Sequence, residues 1–505
     1  MNETEGLKLA LALVEQQLAS DPNSLELLFR KGSFLEQSGQ LKQAGEVYGK
    51  LLQRDAQHRN ALNNLGNILL AAGDKVAARS LFERAVAAHP ADPLSLVNLG
   101  NLTMKTTAIA TARGLFERAL ATDPNCRAAH VGMSYVLEQM GKRELAAKHR
   151  GLAFQDRCVV AAPYRGSQPP ITVLELVSTV GGNVCTQGYL SEKVFKRLLV
   201  AAEFYDPGTA LPPHDLVFNS IGDVETTAGA LTAAQALVVN TRAAVINHPA
   251  AVRATGRCDI AKRLAGVAHV HTARTVLLPR EKLCSADAEA TLAGEGFTFP
   301  LLLRSPGFHG GEHFVKVEDL SALETSLSSL PGDELFAIEY LDAASSDGKI
   351  RKYRVMMVDG ALYPLHVAIS ENWKIHYFSA DMTENASHRA EDAAFLSDMA
   401  SVLGSRAMAA LKRIQKMLEL DYGGIDFSLN ADGEILLFEA NATMSVFAPD
   451  EDERWDYRRP AVNAIYSAVR SMLVNKAGAG KEQQPLRDYN VVQDRRATCD
   501  VTQAL

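Results

Sequence analysis

Over the first 150 residues, apolar and small side chains recur at helical spacing in blocks that end on turn residues, and the blocks themselves repeat. Gly32, Gly66 and Gly100 stand 34 residues apart, as do Pro22, Ala56, Pro90 and Pro124, and Leu81-Phe-Glu-Arg-Ala-Val returns as Leu115-Phe-Glu-Arg-Ala-Leu. A period of 34 is that of a helix-turn-helix unit. Residues 62–72 and 75–88 are predicted helices, stopped near Gly73 and before Pro90. Three full repeats start near Asn23, Gln57 and Ala91, with a half-repeat before Asp21 and a partial fourth from Asn125. The pattern then breaks, and Pro163, Gly166, Pro169 and Pro170 mark a linker over residues 153–170.

Beyond it the period shortens. Residues 171–178, 215–220 and 244–247 are apolar runs of strand length, with helices predicted near 190–202 and 231–238, an alternation that suggests a parallel sheet. The glycine loop Thr179-Val-Gly-Gly-Asn-Val follows the first strand and is either part of a substrate pocket or a tight turn. Further strands are predicted at 275–278, 299–304, 313–317 and 335–341, and a hairpin at 350–358 and 361–368 around Asp359-Gly360. Between the second and third of these lies Ser305-Pro-Gly-Phe-His-Gly-Gly-Glu, a flap whose free amides at His309, Gly310 and Gly311 can fold over phosphates. Residues 386–420 read as helical, with an amphipathic stretch over 403–418. A polar, glycine-rich tail over 475–505 is expected to be disordered.

The most informative chemistry sits in a second hairpin, Gly423 to Asn441. Strands at 425–429 and 434–439 flank the turn Asn430-Ala431-Asp432-Gly433. Partners across such a turn lie opposite one another, so Asp426 and Glu439 converge, and Asn441 shares the face of Glu439. Two carboxylates and an amide oxygen aimed at one point call for a hard cation, and Mg²⁺ carrying a nucleotide's phosphates meets that need. The bland reading is a surface hairpin with solvated acids, against which stand the apolar neighbours Phe438, Ala440, Ala442 and Met444.

Composition narrows the class. The chain has 505 residues, 47% hydrophobic and 22% charged, with net charge −7 and a pI near 6.0. That balance argues against a general nucleic-acid or anionic-membrane binder. No uncharged apolar stretch reaches membrane-spanning length, so a cytoplasmic protein is expected. Six scattered cysteines without CxxC pairs are expected to be reduced and mostly buried.

The repeats resemble tetratricopeptide repeats (TPRs), with Asn64-Leu65-Gly66-Asn67 and Asn98-Leu99-Gly100-Asn101 at the family's Leu-Gly position. The resemblance implies a superhelix over residues 1–152 whose concave face recruits a peptide or protein. Asn63, Asn67, Asn98 and Asn101 are candidate groove residues; the alternative is an array that only packs internally or on a second copy as a homodimer.

Residues 171–475 resemble ATP-grasp ligases of the glutathione synthetase and ribosomal-protein glutamate ligase type. This likeness rests on Phe299-Pro-Leu-Leu-Leu-Arg-Ser-Pro-Gly-Phe-His-Gly-Gly, on Ile338-Glu-Tyr-Leu, on Lys352-Tyr-Arg-Val and on Asp426, Glu439 and Asn441. It implies an α/β pre-ATP-grasp domain over 171–250 and an α+β ATP-grasp fold over 251–474, with ATP and Mg²⁺ as cofactors. It further implies nucleotide contacts from Glu339, Tyr340, Leu341 and the flap, and a phosphate role for Arg354. Arg257 and Arg304 stand where the family usually has lysines, an exchange that changes the geometry of phosphate binding. His366, Trp373, Lys374, His376 and Asp381 fall where relatives contact phosphate and substrate, making His366 and His376 catalytic candidates.

The activity implied is ATP-dependent ligation of a small-molecule or peptide carboxylate to an amine through an acyl phosphate, in a setting such as peptide natural-product biosynthesis. The alternatives are a TPR adaptor with a nucleotide-binding but catalytically weak second half, or a phosphotransferase on the same scaffold.

Overall fold

The computed structural model describes residues 3–104, 108–186, 188–308, 310–375 and 380–478. The described residues divide into two compact units, one within 3–180 and 190–215, the other within 181–189 and 216–478.

The first unit opens with α1 (Glu3–Ser20) and continues as helix pairs: α2 (Leu25–Gln37) with α3 (Leu41–Arg54), α4 (Arg59–Ala71) with α5 (Lys75–Ala88), and α6 (Pro93–Met104) with α7 (Ile109–Thr122). A last pair, α8 (Arg127–Gln139) with α9 (Arg143–Phe154), completes the repeat that the sequence predicts as partial. The period has a packing cause. Gly32, Gly66 and Gly100 each lie against a ring sixteen residues later, Tyr48, Phe82 and Phe116, all three fully buried. Asp74 caps α5 by accepting from the Ala77 amide at 2.9 Å, and Ser24 caps α2.

A Cβ at Gly66 would come within 2.4 Å of the Phe82 ring. Gly66→Ala raises helix propensity by about 1 kcal/mol, yet overpacking costs about 1–3 kcal/mol. The variant is expected to melt below wild type in calorimetry; a higher melting temperature would show that the ring moves aside freely.

The groove expectation needs correction at Asn63. This residue is fully buried, donates to Ser95 Oγ at 2.8 Å and accepts from Asn98 Nδ2 at 2.9 Å. Both amides link neighbouring repeats, because an amide in a helix interior is stable only when its donors and acceptor are matched. Asn67 is exposed and Asn101 half-buried.

Beyond the helices, β1 (Val159–Ala161) falls inside the expected linker and pairs antiparallel with β3 (Phe195–Ala201), which runs parallel to β2 (Ile171–Val177). Residues 195–201 were expected within a helix. Their seven-residue register with β2 buries Phe195, Leu199, Val200 and Ala201, and this pairing overrides local helical spacing. Glu175 on β2, with no exposed surface, is matched by Arg197 of β3 at 2.7 Å.

In the second unit β4 (Leu216–Asn219) and β5 (Ala244–Ile246) are parallel, with α10 (Ala228–Val238) between them in sequence. Next come α11 (Pro249–Arg253), α12 (Arg257–Leu264) and a strand that the sequence pattern did not predict, β6 (Val270–Thr272). An antiparallel sheet of order β7-β10-β8-β9 follows, from β7 (Thr275–Pro279), β8 (Leu301–Arg304), β9 (Phe314–Val317) and β10 (Glu334–Glu339). Helices α13 (Arg280–Leu283), α14 (Ala288–Gly294) and α15 (Leu323–Ser328) share its core through Leu283, Leu292 and Leu327.

The largest sheet comprises β11 (Ile350–Val358), β12 (Ala361–Ser370), β13 (Tyr422–Leu429) and β14 (Ile435–Asn441) in the order β12-β11-β13-β14-β6. Helices α16 (Ala386–Ser397), α17 (Met399–Leu418) and α18 (Arg459–Ala477) complete the unit, so residues 475–477 of the expected tail are helical. Asn247, buried and at φ 54°, fastens the loop after β5 to β13: its side chain donates to Tyr422 O at 2.7 Å and accepts from Tyr422 N at 2.9 Å.

Strand β6 forms the edge of this sheet, where His269 Nδ1 and His271 Nε2 lie 3.0 and 2.7 Å from the two oxygens of Glu434. Hydrogen bonds from His269, His271 and Asn430 bring Glu434 from an ordinary 4.5 down to about 2. A depressed carboxylate stabilises fully above its unfolded value and loses that contribution as pH falls through the folded one. The β6 amides, corrected for intrinsic exchange, are therefore expected to lose protection between about pH 4.5 and 2. In Glu434→Gln they should already exchange faster at pH 6, and an unchanged profile would rule this anchoring out.

Candidate functional site: a charged row across the largest sheet

Four consecutive strands each place one polar residue in a single row. The register pairs His366 of β12 with Arg354 of β11, Arg354 with Asp426 of β13, and Asp426 with Glu439 of β14. Directly opposite residues in antiparallel strands have Cβ atoms about 5 Å apart, so the Arg354 cation stands between His366 and Asp426, and the Asp426 and Glu439 carboxylates lie side by side. All four line a cavity of about 870 Å³.

Asp426 is the centre. Arg354 grips it with two hydrogen bonds, Nε to Oδ1 at 2.6 Å and Nη2 to Oδ2 at 2.7 Å, and Lys352 Nζ approaches Oδ2 at 2.7 Å. Burial pushes the Asp426 carboxyl up, but Arg354 and Lys352 overcome it and hold the group well below the usual carboxylate range. Arg354 is raised in turn: burial opposes its charge and Asp426 more than compensates.

Glu439 is likewise opposed by burial and held ionised by Arg257, whose Nη2 lies 2.8 Å away. Arg257 begins α12 and also meets Glu225 at 2.6 Å. Glu225 in turn accepts from the flap amide of Gly307 at 3.2 Å.

Arg304, at the end of β8, is buried, and burial followed by the nearby Arg257 charge lowers its pKa. Its guanidinium donates to Phe308 O and lies 5.6 Å from the Phe314 ring centre, while its buried Nε has no hydrogen-bond partner among the described residues. His366 is pushed well below the ordinary imidazole value by burial, then by Arg354 and Arg458.

The remaining candidates are placed as follows. Gly310 and Gly311, both at positive φ, line the cavity with Glu339, Tyr340 and Leu341. Glu339 accepts from the Arg274 amide at 3.0 Å, and Lys316 Nζ sits 4.1 Å over the Tyr340 ring. Lys374 Nζ donates to the flap at Gly311 O and Phe314 O. His309 and His376 lie outside the described residues.

Asn441 departs from the expected trio. It pairs with Gly424 on the unbroken part of the ladder, on the face of Glu439, but its Oδ1 accepts from Thr443 N and Oγ1 at 3.0 and 2.7 Å. It lines a smaller pocket beside Glu439 instead of the large cavity. Sequence reasoning passed over Lys352, which strand alternation places on the face of Arg354, and Glu225, for which no local pattern exists.

Among the described residues, no group of three or more His, Cys, Asp or Glu is arranged to hold a metal ion, and no helix is long and apolar enough to cross a membrane. Cys126, Cys158 and Cys258 are half-buried free thiols and Cys284 an exposed one, whereas Cys185 is disulfide-bonded, so the expectation of reduced, mostly buried cysteines is corrected.

Residues 35–93 match the family model of the tetratricopeptide repeat. The chain therefore carries such repeats in a helical N-terminal region, followed by a mixed α/β region with several sheets. Similar solved structures include a crystal structure of MamA, at 23% identity over 30% of this chain and 93% of that one, with a TM-score of 0.27. Another is MamA 41-end from Desulfovibrio magneticus RS-1, at 23% identity over 29% and 83%, TM-score 0.27. A third is YrrB, described as a TPR protein with an unusual peptide-binding site, at 19% identity over 30% and 79%, TM-score 0.26. No curated protein matches the chain.

Proposed function

We propose that the second unit is an ATP-grasp ligase that joins a carboxylate to an amine, and that the repeats recruit the peptide or protein on which it acts. The observation that carries this reading is the row His366–Arg354–Asp426–Glu439 along a cavity of about 870 Å³, a volume within the range of ligand sites.

The residues present suit a magnesium nucleotide. Leu302, Ile338 and Leu341 offer an apolar wall for a base. The partnerless Arg304 Nε is a buried donor that a phosphate oxygen would satisfy. Glu439, ionised and exposed toward the cavity, would be the carboxylate that Mg²⁺ takes alongside phosphate oxygens, with Asp426 beside it held by Arg354 and Lys352; Asn441, tied to Thr443, is left out of that set. When bound, Mg²⁺ supplies charge neutralisation across the terminal phosphates.

In this reading Arg257, Arg304 and Arg354 hold the triphosphate while a substrate carboxylate oxygen attacks the γ-phosphorus, forming an acyl phosphate and releasing ADP. An amine nitrogen then attacks the acyl carbon and phosphate leaves, giving an amide. No protein nucleophile is involved.

One observation favours a second reading, an adaptor that binds nucleotide without turnover. Both cavity carboxylates are already matched by the chain's own cations, Asp426 by Lys352 and Arg354, Glu439 by Arg257. The test is ADP formation with Mg²⁺-ATP and panels of amino acids and peptides, with hydroxylamine added to trap acyl phosphate as a hydroxamate. Hydroxamate formation supports the ligase; ATP binding by calorimetry without ADP from any acceptor supports the adaptor. ADP with a phosphorylated, non-carboxylate product would indicate phosphotransfer.

A further inference from the structure

Arg458 lines the cavity and pairs with the buried Asp392, an ion pair that the phosphoryl chemistry does not use. Asp392 of α16 has no exposed surface, and its Oδ2 lies 3.6 Å from Arg458 Nε and accepts from Tyr457 OH at 2.7 Å. The pair grips three successive residues of β12. Arg458 Nη2 donates to Leu365 O at 3.2 Å and meets His366 Nδ1 at 3.5 Å, while Asp392 Oδ1 accepts from Val367 N at 2.8 Å.

This geometry constrains the imidazole. A guanidinium carries donors alone, so the Nδ1 that faces it presents a lone pair, and the single proton of a neutral ring then sits on Nε2. The charges around the ring agree: Arg354 and Lys352 of β11 and Arg458 oppose a second proton, and Asp426 of β13, already paired with both β11 cations, only partly offsets them.

We infer that Asp392, Tyr457 and Arg458 are positioning residues that fix His366 with its proton on Nε2, making it a hydrogen-bond donor to a substrate oxygen and not the base that receives the amine's proton. The donor role rests on the ligase reading; the tautomer does not.

The test is therefore made in two arms on the full chain. Nitrogen-15 NMR of the histidine rings, with His366→Asn identifying the signal, is expected to show Nδ1 unprotonated and Nε2 protonated from pH 6 to 8. Arg458→Met should release His366 into mixed tautomers or a titrating imidazolium, and Arg458→Lys should restore the wild-type pattern. A proton on Nδ1 in wild type, or a ring unaffected in Arg458→Met while Asp392 stays in place, overturns the inference. Tyr457→Phe, which keeps the ion pair, provides a milder variant should Arg458→Met fold poorly.

In the second arm Arg458→Met should lower kcat for ADP formation about tenfold, in the range of outer-shell substitutions, with KM for ATP unchanged. A loss confined to KM would overturn the donor role. Wild-type protein that makes no ADP would overturn the ligase reading and the donor role with it, leaving the tautomer to the NMR result.

Discussion

Asp426→Asn is expected to destabilise the second unit by about 3 kcal/mol, the low end of the range for removing one partner of a buried ion pair. Asp426 is the shared counter-charge of Arg354 and Lys352, and its side chain is 1% exposed. An asparagine of the same shape keeps the packing and part of the hydrogen bonding but leaves two cations side by side. The cost stays at the low end because Arg354 and Lys352 keep 22% and 19% of their side-chain surface, so cavity water screens them.

The sign with pH follows. The depressed Asp426 carboxyl stabilises the fold fully above its unfolded value near 3.8 and loses that contribution as pH falls below it. Wild type should therefore lose stability on acidification from pH 5 to 3 more steeply than Asp426→Asn. Hydrogen exchange at the β13 amides reads this locally in a chain of two units. Equal protection at pH 7 would mean that the pair contributes nothing.

The alternative that keeps a charge, Asp426→Glu, fails for a different reason. The longer side chain has to find room at a position where the carboxylate already meets both arginine nitrogens at 2.6 and 2.7 Å. It should recover part of the stability but not the bidentate geometry.

What could be read from the chain followed contact distance along the sequence. The facing of Asp426 and Glu439 was legible because a four-residue turn sets the register of the hairpin that carries them. Arg354 could be placed on a strand, but its position between His366 and Asp426 depends on the order β12-β11-β13, which no local pattern encodes. Asn441 keeps the face of Glu439, as alternation along the unbroken Glu439–Asn441 ladder requires; what the pattern could not show is that Thr443 takes its Oδ1.

Residues 195–201 show the same limit for the fold. Their local spacing permits a helix, and only β2, available once the chain has collapsed, selects the strand. Glu225 meets Arg257 across 32 residues and Asp392 meets Arg458 across 66, and neither pairing left a trace in any window.

On the proposed ligase reading, Glu439→Gln is expected to lower ADP formation by about 10²–10³-fold, the usual effect of removing one group that stabilises charge at a reacting phosphate, with little change in stability. The contrast with Asp426 comes from the partners. Arg257 keeps Glu225 at 2.6 Å when Glu439 loses its charge, so no cation is stranded. Glu439 also keeps 29% of its side-chain surface, exposed toward the cavity, whereas Asp426 is sealed. A carboxylate held ionised by Arg257 and left accessible is available to a magnesium nucleotide; one consumed in a bidentate pair is chiefly a scaffold for Arg354. Calorimetric ATP binding without Mg²⁺ should therefore be the same in Glu439→Gln and wild type, while the gain in affinity on adding Mg²⁺ should shrink in the variant. If that gain is undiminished, Glu439 does not take the metal, and its pairing with Arg257 serves the anchoring of α12 against β14 instead.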